Sequence, residues 1–314
     1  MSYRVGIIYI MLLLVLPFLS GCLEESNSSV HESNVIYVDD SGGADFTSIQ
    51  EAIDSIPVGE TNYTIFVRPG LYMENIVINK TVSLIGDNPS TTIINGSGFG
   101  NVIHITRWGR ATIKGFTIEK SGKGGYPGSP DYNAGIKVES GGNNISNNVI
   151  VGNRCGVYTV SAPLNNFSYN IVKDNQEYGM YIYVASDRAE IYHNVFVGNQ
   201  CGLRIKSCKH CVVSMNVFVG NEKGMFFCCG AKYNMVFHNT FVNNSLWNAD
   251  DLVGGNEWDN GVEGNYWSDY NGSDVDGDGI GDVPYNFTSN CGDRYPLMQP
   301  IVTYEAVSVG KTFI

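Results

Sequence analysis

Two clusters of residues in this chain have the types and spacing of metal ligands. Asp274-x-Asp276-x-Asp278-Gly279-x-x-Asp282 sets hard carboxylate oxygens at positions 1, 3, 5 and 9 of a loop with Gly at position 6. That is the spacing of an EF-hand-type Ca²⁺ loop, with Ile280 offering its backbone carbonyl at position 7. Tyr285 stands at position 12 in place of a bidentate Glu. The expected affinity is therefore weak, about 0.1–1 mM, unless Asp269 or Asp293 completes the shell. Such an ion would be structural, and an acidic solvated loop is the alternative. The second cluster is softer: Cys208-Lys-His210-Cys211 and, about one repeat later, Cys228-Cys229. Thiolates with one imidazole suit Zn²⁺ or Cu⁺, whereas a Cys208–Cys229 disulfide would consume two of the same residues.

These groups sit on a repeat that has to position them. Asn148-Val-Ile-Val-Gly-Asn153, Asn170-Ile-Val-Lys-Asp-Asn175, Asn194-Val-Phe-Val-Gly-Asn199, Asn216-Val-Phe-Val-Gly-Asn221 and Asn239-Thr-Phe-Val-Asn-Asn244 are one motif, spaced by 22, 24, 22 and 23 residues. An apolar residue precedes each by three positions: Ile145, Phe167, Ile191, Val213 and Val236. Short alternating segments broken by Asn and Gly indicate strands and bends. Three short strands in about 23 residues suit one coil of a right-handed parallel β-helix, an all-β solenoid of roughly ten coils. Equivalent residues then stack about 4.8 Å apart.

Stacking turns sequence positions into columns. The middle residue of each Gly-apolar-x-apolar strand points outward, giving Lys137, Tyr158, Tyr181, Arg204 and Phe226 on successive coils. Two residues on, the column reads Glu139, Val160, Tyr183, Lys206 and Cys228. Aromatic rings beside Arg and Lys could stack on sugars and pair with uronate carboxylates, making an acidic polysaccharide or surface glycan the expected partner. An ordinary strand surface of β-preferring Tyr and Phe is the alternative. His193, Met215 and His238 share another column, a further soft-metal arrangement, with ordinary bend residues as the alternative. Cys155 and Cys201 lie two coils apart, near 9.6 Å on that rise, beyond the reach of a disulfide.

The ends also have a reading. Thr47-Ser-Ile-Gln50 reads as a capping box, and Phe46, Ile49, Ile53 and Ile56 then lie on one helical face until Pro57. This predicts an amphipathic helix closing the N-terminal end of the solenoid. Residues 1–21 read as a signal peptide: one positive charge, then a 15-residue apolar run broken by Pro17. Leu19-Ser-Gly-Cys22 resembles a lipobox, so Cys22 is the expected lipidation site and a lipid anchor the only expected membrane contact. An uncleaved anchor is the alternative. Residues 22–34 are a polar tether, 35–270 the β-helix, 271–300 a C-terminal cap carrying the Asp loop, and 301–314 a tail. Nine Asn-x-Ser/Thr sites fit export. With 19 Lys+Arg against 31 Asp+Glu, the net charge of −12 argues against a nucleic-acid partner.

Val38-Asp-Asp-Ser-Gly-Gly-Ala-Asp-Phe-Thr-Ser-Ile-Gln-Glu-Ala-Ile53, Arg68-Pro-Gly-Leu-Tyr-Met-Glu74 and Ser83-Leu-Ile-Gly-Asp87 resemble the opening of pectin-esterase-like β-helices. The repeats, Gly264-Asn-Tyr-Trp-Ser-Asp-Tyr270 and the Asp274–Asp282 loop resemble more closely the NosD-like, CASH-type β-helix surface proteins common in archaea. The resemblance covers about residues 35–300. It implies the fold and an extracytoplasmic, cell-surface location; it implies no single activity. The oxyanion and nucleophile segments of active pectin esterases are missing, and only Gly70-x-Tyr72-x-Glu74 matches. Arg204-Ile-Lys206 resembles a polygalacturonase element, yet the Asp motifs that should precede it are missing, and Asp250-Asp251 follows it. The resemblance also raises a copper accessory role. The expectation is a lipid-anchored, non-catalytic, polysaccharide-binding or envelope β-helix; a polysaccharide-acting lyase, hydrolase or esterase and a copper accessory protein are the alternatives.

Overall fold

A computed structural model describes residues 34–288 and 291–301. The chain winds through three parallel sheets in turn, so that each coil adds one strand to each. Sheet A has nine strands, from Val35–Val38 to Met235–Phe237; sheet B has nine, from Gly70–Tyr72 to Tyr266–Trp267; sheet C has eight, from Ile76–Ile78 to Trp247–Asp251. This is a right-handed parallel β-helix of about nine coils, close to the ten read from the period. Among the described residues no helix is long and apolar enough to cross a membrane.

The recurring motif is a sheet B strand held between two side-chain ladders. In Asn194-Val-Phe-Val-Gly-Asn199 the strand is Val195–Val197, and Phe196 points into the core. Phe196, Phe218, Phe241 and Trp267 stack at centroid spacings of 4.8, 4.7 and 4.4 Å. The flanking asparagines are buried and stack as well. Asn148, Asn170, Asn194, Asn216 and Asn239 each donate Nδ2–H to the next amide oxygen, the last being that of Asn265, at 3.2, 3.0, 3.0, 2.9 and 2.9 Å. The residue before each of the first five, Asn147, Tyr169, His193, Met215 and His238, has φ between 54° and 58°. A left-handed bend of that kind disfavours L-residues, and the amide ladder holds it in place.

The helix Ile49–Ser55 covers the N-terminal end with Ile49, Ala52 and Ile53 buried. Its N-cap is Ser48, not Thr47: Ser48 Oγ accepts from Glu51 N–H, so the capping pair lies one residue later than the sequence suggested. Phe46 is only partly buried. The signal in Gly70-x-Tyr72-x-Glu74 is structural. Glu74 accepts from Ser48 Oγ, Ile49 N–H and Gln50 N–H at 3.0, 2.9 and 2.9 Å, closing the helix start with a carboxylate. Tyr72 is buried, its hydroxyl bonded to the Arg68 carbonyl at 3.0 Å. A Cβ at Gly70 would meet the Asp40 carboxylate at 2.5 Å.

At the other end an antiparallel hairpin, Tyr285–Thr288 with Cys291–Asp293, packs on the last coil. Tyr285 stacks on Trp267 at 4.6 Å, and Phe287 meets Trp258 edge-on at 4.7 Å. Asp293, fully buried, accepts from Asn265 N–H at 2.6 Å and from Trp267 Nε1 at 2.9 Å.

Candidate ligand-binding face

Sheet C carries the predicted outward column in the predicted register. Lys137 pairs with Tyr158, Tyr158 with Tyr181, Tyr181 with Arg204 and Arg204 with Phe226. Val160, Tyr183, Lys206 and Cys228 form the column beside it. The stripe is not continuously exposed, however. Lys137, Tyr158 and Tyr181 are 3%, 1% and 1% exposed. The connection from Glu119 to Ile136 holds residues 120–135, where later coils use three or four residues, and it folds over Lys137 and Tyr158, while Tyr181 is packed among Tyr158, Tyr178 and Tyr183. Tyr132 packs edge-on against Tyr158 at 4.9 Å, and Lys137 donates to the Pro130 carbonyl at 2.6 Å. Lys137 also pairs with Glu139 at 2.9 Å, and His104 reaches the other Glu139 oxygen at 3.0 Å. Burial pushes the Glu139 carboxyl up, but Lys137 and His104 outweigh it and hold it below its ordinary value.

Beyond that loop the face is open, and its centre is Arg204. The guanidinium carbon lies 5.4, 5.0 and 5.4 Å from the rings of Tyr178, Tyr181 and Phe226. Nη1 donates to Tyr178 Oη at 2.6 Å and Nη2 to Cys228 Sγ at 3.3 Å, while buried Nε has no partner. Lys206 Nζ sits 5.2 Å over Tyr183, and Lys223 Nζ sits 5.9 Å over Trp247. Among the described residues no carboxylate lies within ion-pair distance of Arg204, Lys206 or Lys223. Three cations on aromatic rings without counter-charges make an anion-accepting surface.

Lys223, Trp247 and Asp250 complete this face and were missed in the sequence. Trp247 pairs with Lys223 and Asp250 with Phe226. The strand Trp247–Asp251 lacks the Gly-apolar-x-apolar signature, but counting from the motif at Asn239–Asn244 would have located it. Burial, and then the neighbouring Asp251 charge, raise the Asp250 carboxyl. Asp251 itself accepts from Val253 N–H, Gly254 N–H and Asn256, a structural set of bonds.

The soft-ligand residues are not gathered. Cys208 and Cys211 turn inward, their thiols 3.2 Å from the Lys206 carbonyl and 3.7 Å from that of Ser186. Burial pushes both thiols up to about 12. His210 is exposed and stacks on Tyr233 at 5.7 Å; Cys228 lies beside Arg204, and Cys229 is exposed. Cys208 and Cys229 are both free thiols, because Cys208 packs into the core whereas Cys229 faces solvent. His193, Met215 and His238 do share a column of bends. His193 stacks on Tyr169 at 4.9 Å and His238 Nε2 lies 2.6 Å from Glu263. Two coils, about 9.6 Å, separate the backbones of the histidines, and each ring is engaged by a different neighbour. Among the described residues no three of these Cys and His side chains lie close enough together to share one ion.

In the Asp loop, carboxylate oxygens of Asp274, Asp276 and Asp278 lie within 4.8 Å of one another. Asp282 turns instead to Val275 N–H at 2.8 Å and Ser273 Oγ at 3.3 Å, and Ile280 pairs with Leu297. Neither proposed completing acid joins them. Asp269 accepts from Tyr285 Oη at 2.9 Å and Asn248 at 2.8 Å, and Asp293 is buried against Trp267. Cys22 lies outside the described residues, as do the signal segment, nearly all of the tether and most of the tail.

Nine coils of parallel sheet define a pectin-lyase-like β-helix protein. The sequence model of the NosD family, described as periplasmic copper-binding protein, matches residues 57–272, and the chain belongs to this family of extracytoplasmic β-helix proteins. The probable ABC transporter binding protein NosD of Pseudomonas aeruginosa is 36% identical over 87 residues, 28% of this chain and 20% of that protein. Putative pectinesterase 11 of Arabidopsis thaliana is 43% identical over 77 residues, 22% of each. The chain thus spans about a fifth of the length of the curated relatives it matches. Among solved structures, XylC with xylose superimposes with a TM-score of 0.53 at 10% identity, over 74% of this chain and 63% of that one. The catalytic domain of a GH87 α-1,3-glucanase with nigerose gives 0.52 at 15% identity, over 74% and 44%. At those identities the likeness is one of fold.

Proposed function

We propose that this is a non-catalytic, extracytoplasmic β-helix, lipid-anchored through Cys22, that binds acidic polysaccharide on the open part of sheet C. The observation that carries this reading is Arg204: a guanidinium boxed by three aromatic rings, with a buried unpartnered Nε and no carboxylate beside it. Partly burying a charge without a counter-charge is costly, and a uronate carboxylate would supply one. Tyr183, Phe226 and Trp247 offer the faces on which pyranose rings stack, and Lys206 and Lys223 offer further anion contacts. That the two solved relatives are bound to sugars is in keeping with this reading.

Retention on immobilised polygalacturonate at low salt is the test. Arg204→Ala combined with Lys206→Ala should abolish it without changing the unfolding midpoint by more than a few degrees. Undiminished retention would remove the reading. Tyr181 is unsuited to the experiment because it is buried and its loss would disturb packing. The family description favours a second reading, copper binding. Stoichiometric copper in reduced, purified protein would support it, and its absence would count against it.

A further inference from the structure

The loop that hides part of the predicted stripe is held largely by side chains. Its ends join the backbone ladder: Gly122 N–H bonds the Gly100 carbonyl at 2.8 Å, and Val102 N–H bonds that of Ala134 at 3.1 Å. Between them, residues 123–131 make backbone–backbone hydrogen bonds only within the loop. Side chains rising from the sheet hold this stretch. Arg154 Nη1 donates to the carbonyls of Lys123, Gly124 and Gly125 at 2.7, 2.6 and 2.6 Å, and Lys137 Nζ donates to that of Pro130 at 2.6 Å. Tyr132 Oη donates to Glu177 at 2.7 Å, and Glu177 also binds Arg154 Nε at 2.8 Å. The loop carbonyls therefore lie where ligand oxygens would lie in an open groove. Beneath them, Lys137, Tyr158 and Tyr181 continue the column that emerges as Arg204 and Phe226.

We propose that residues 123–132 are a displaceable strap over the sheet C face, and that long acidic polysaccharide lifts it to reach a covered subsite of Lys137 and Tyr158. This rests on the Arg204 platform being the entry site. The covered subsite offers the Lys137 ammonium, shared with Glu139 at 2.9 Å, and the Tyr158 face beside the platform's own Tyr181. The clamp is polar, and lifting it exchanges loop carbonyls for sugar hydroxyl and carboxylate oxygens. Short oligomers that fill only the platform leave the strap in place. Apparent affinity for long chains is lowered by the fraction of molecules in which the strap is closed.

Trigalacturonate and long polygalacturonate separate the two states on the whole protein. Hydrogen exchange of peptides spanning 123–132 should quicken with the polymer and stay unchanged with the trimer. Arg154→Ala, which removes three strap contacts but no subsite group, should tighten polymer binding about tenfold and leave trimer binding as it was. If that variant does not fold, exchange on the unaltered protein decides. Unchanged strap exchange under bound polymer, or an unchanged polymer-to-trimer affinity ratio in Arg154→Ala, overturns the strap and leaves the platform standing. If the unaltered protein binds neither ligand, both fall.

Discussion

At the scale of single residues, burial decides which side chains keep their ordinary chemistry. Lys137, Tyr158 and Tyr181 have the types and register of a ligand stripe, yet loop 120–135 packs over the first two and neighbouring tyrosines bury the third. Arg204, on the same column, stays reachable. Asp293 is the sharpest case of a perturbed acid. Burial raises its carboxyl to about 6, against the bonds from Trp267, Asn265 and Tyr295 that favour the charged form. The folded protein therefore holds this proton more tightly than the unfolded chain, whose Asp titrates near 3.8. Stability should rise as pH falls from 7 through 6 towards 4, by about 3 kcal/mol from this group. Glu139 and Asp259, both held low, act the opposite way: their contribution is present above their unfolded values and is lost as the pH falls through their folded ones. Thermal midpoints between pH 4 and 7 check this, and Asp293→Asn should flatten the profile. A variant with the same profile as the unaltered protein would show that Asp293 is not its source.

At the scale of elements, the asparagine ladders act as directional dipole arrays. Each Nδ2–H points along the stack, so the donor end needs a closing acceptor. Carboxylates close three such runs: Asn265 Nδ2 reaches Asp293 at 3.4 Å; the ladder through Asn221 and Asn244 passes to Asn248, which reaches Asp269 at 2.8 Å; and Asn234 donates to Asn256, which reaches Asp251 at 2.9 Å. This parallels an acid opposite the positive end of a helix. Mid-ladder residues should matter most. Asn216 donates to Asn239, the Ile191 carbonyl and the Ser214 carbonyl, and accepts from Asn194. Asn216→Ala would leave several buried groups unpaired at once and should cost about 3 kcal/mol. Urea unfolding measures this; a loss below about 1 kcal/mol would mean that the ladder relaxes around the gap.

At the scale of the whole molecule, a solenoid is stabilised coil on coil and is vulnerable at its ends. Helix Ile49–Ser55 closes one end and the hairpin with Asp293 the other. Calcium on Asp274, Asp276 and Asp278 would strengthen the second closure. At an affinity of about 0.1–1 mM, 10 mM Ca²⁺ should stabilise the fold by about 1.4–2.7 kcal/mol. EDTA should reverse the effect and Asp276→Ala abolish it; an unfolding midpoint indifferent to all three removes calcium from the cap. The sequence by itself determined the solenoid, the inward and outward columns and the outward register of sheet C. One short unit repeated every 22 to 24 residues fixes which side chains stack, whatever the rest of the chain does. The capping helix was legible too, displaced by one residue, because Ser48 and Thr47 are interchangeable cap types and only Glu74, remote in sequence, selects between them. Tertiary structure alone decided that half the stripe is covered and that Cys208 and Cys211 turn inward. It also decided that the Asp269 and Asp293 carboxylates serve the cap and not the loop. Those outcomes depend on segments that break the period, and an aperiodic segment is placed by the surface it meets, which no local pattern encodes.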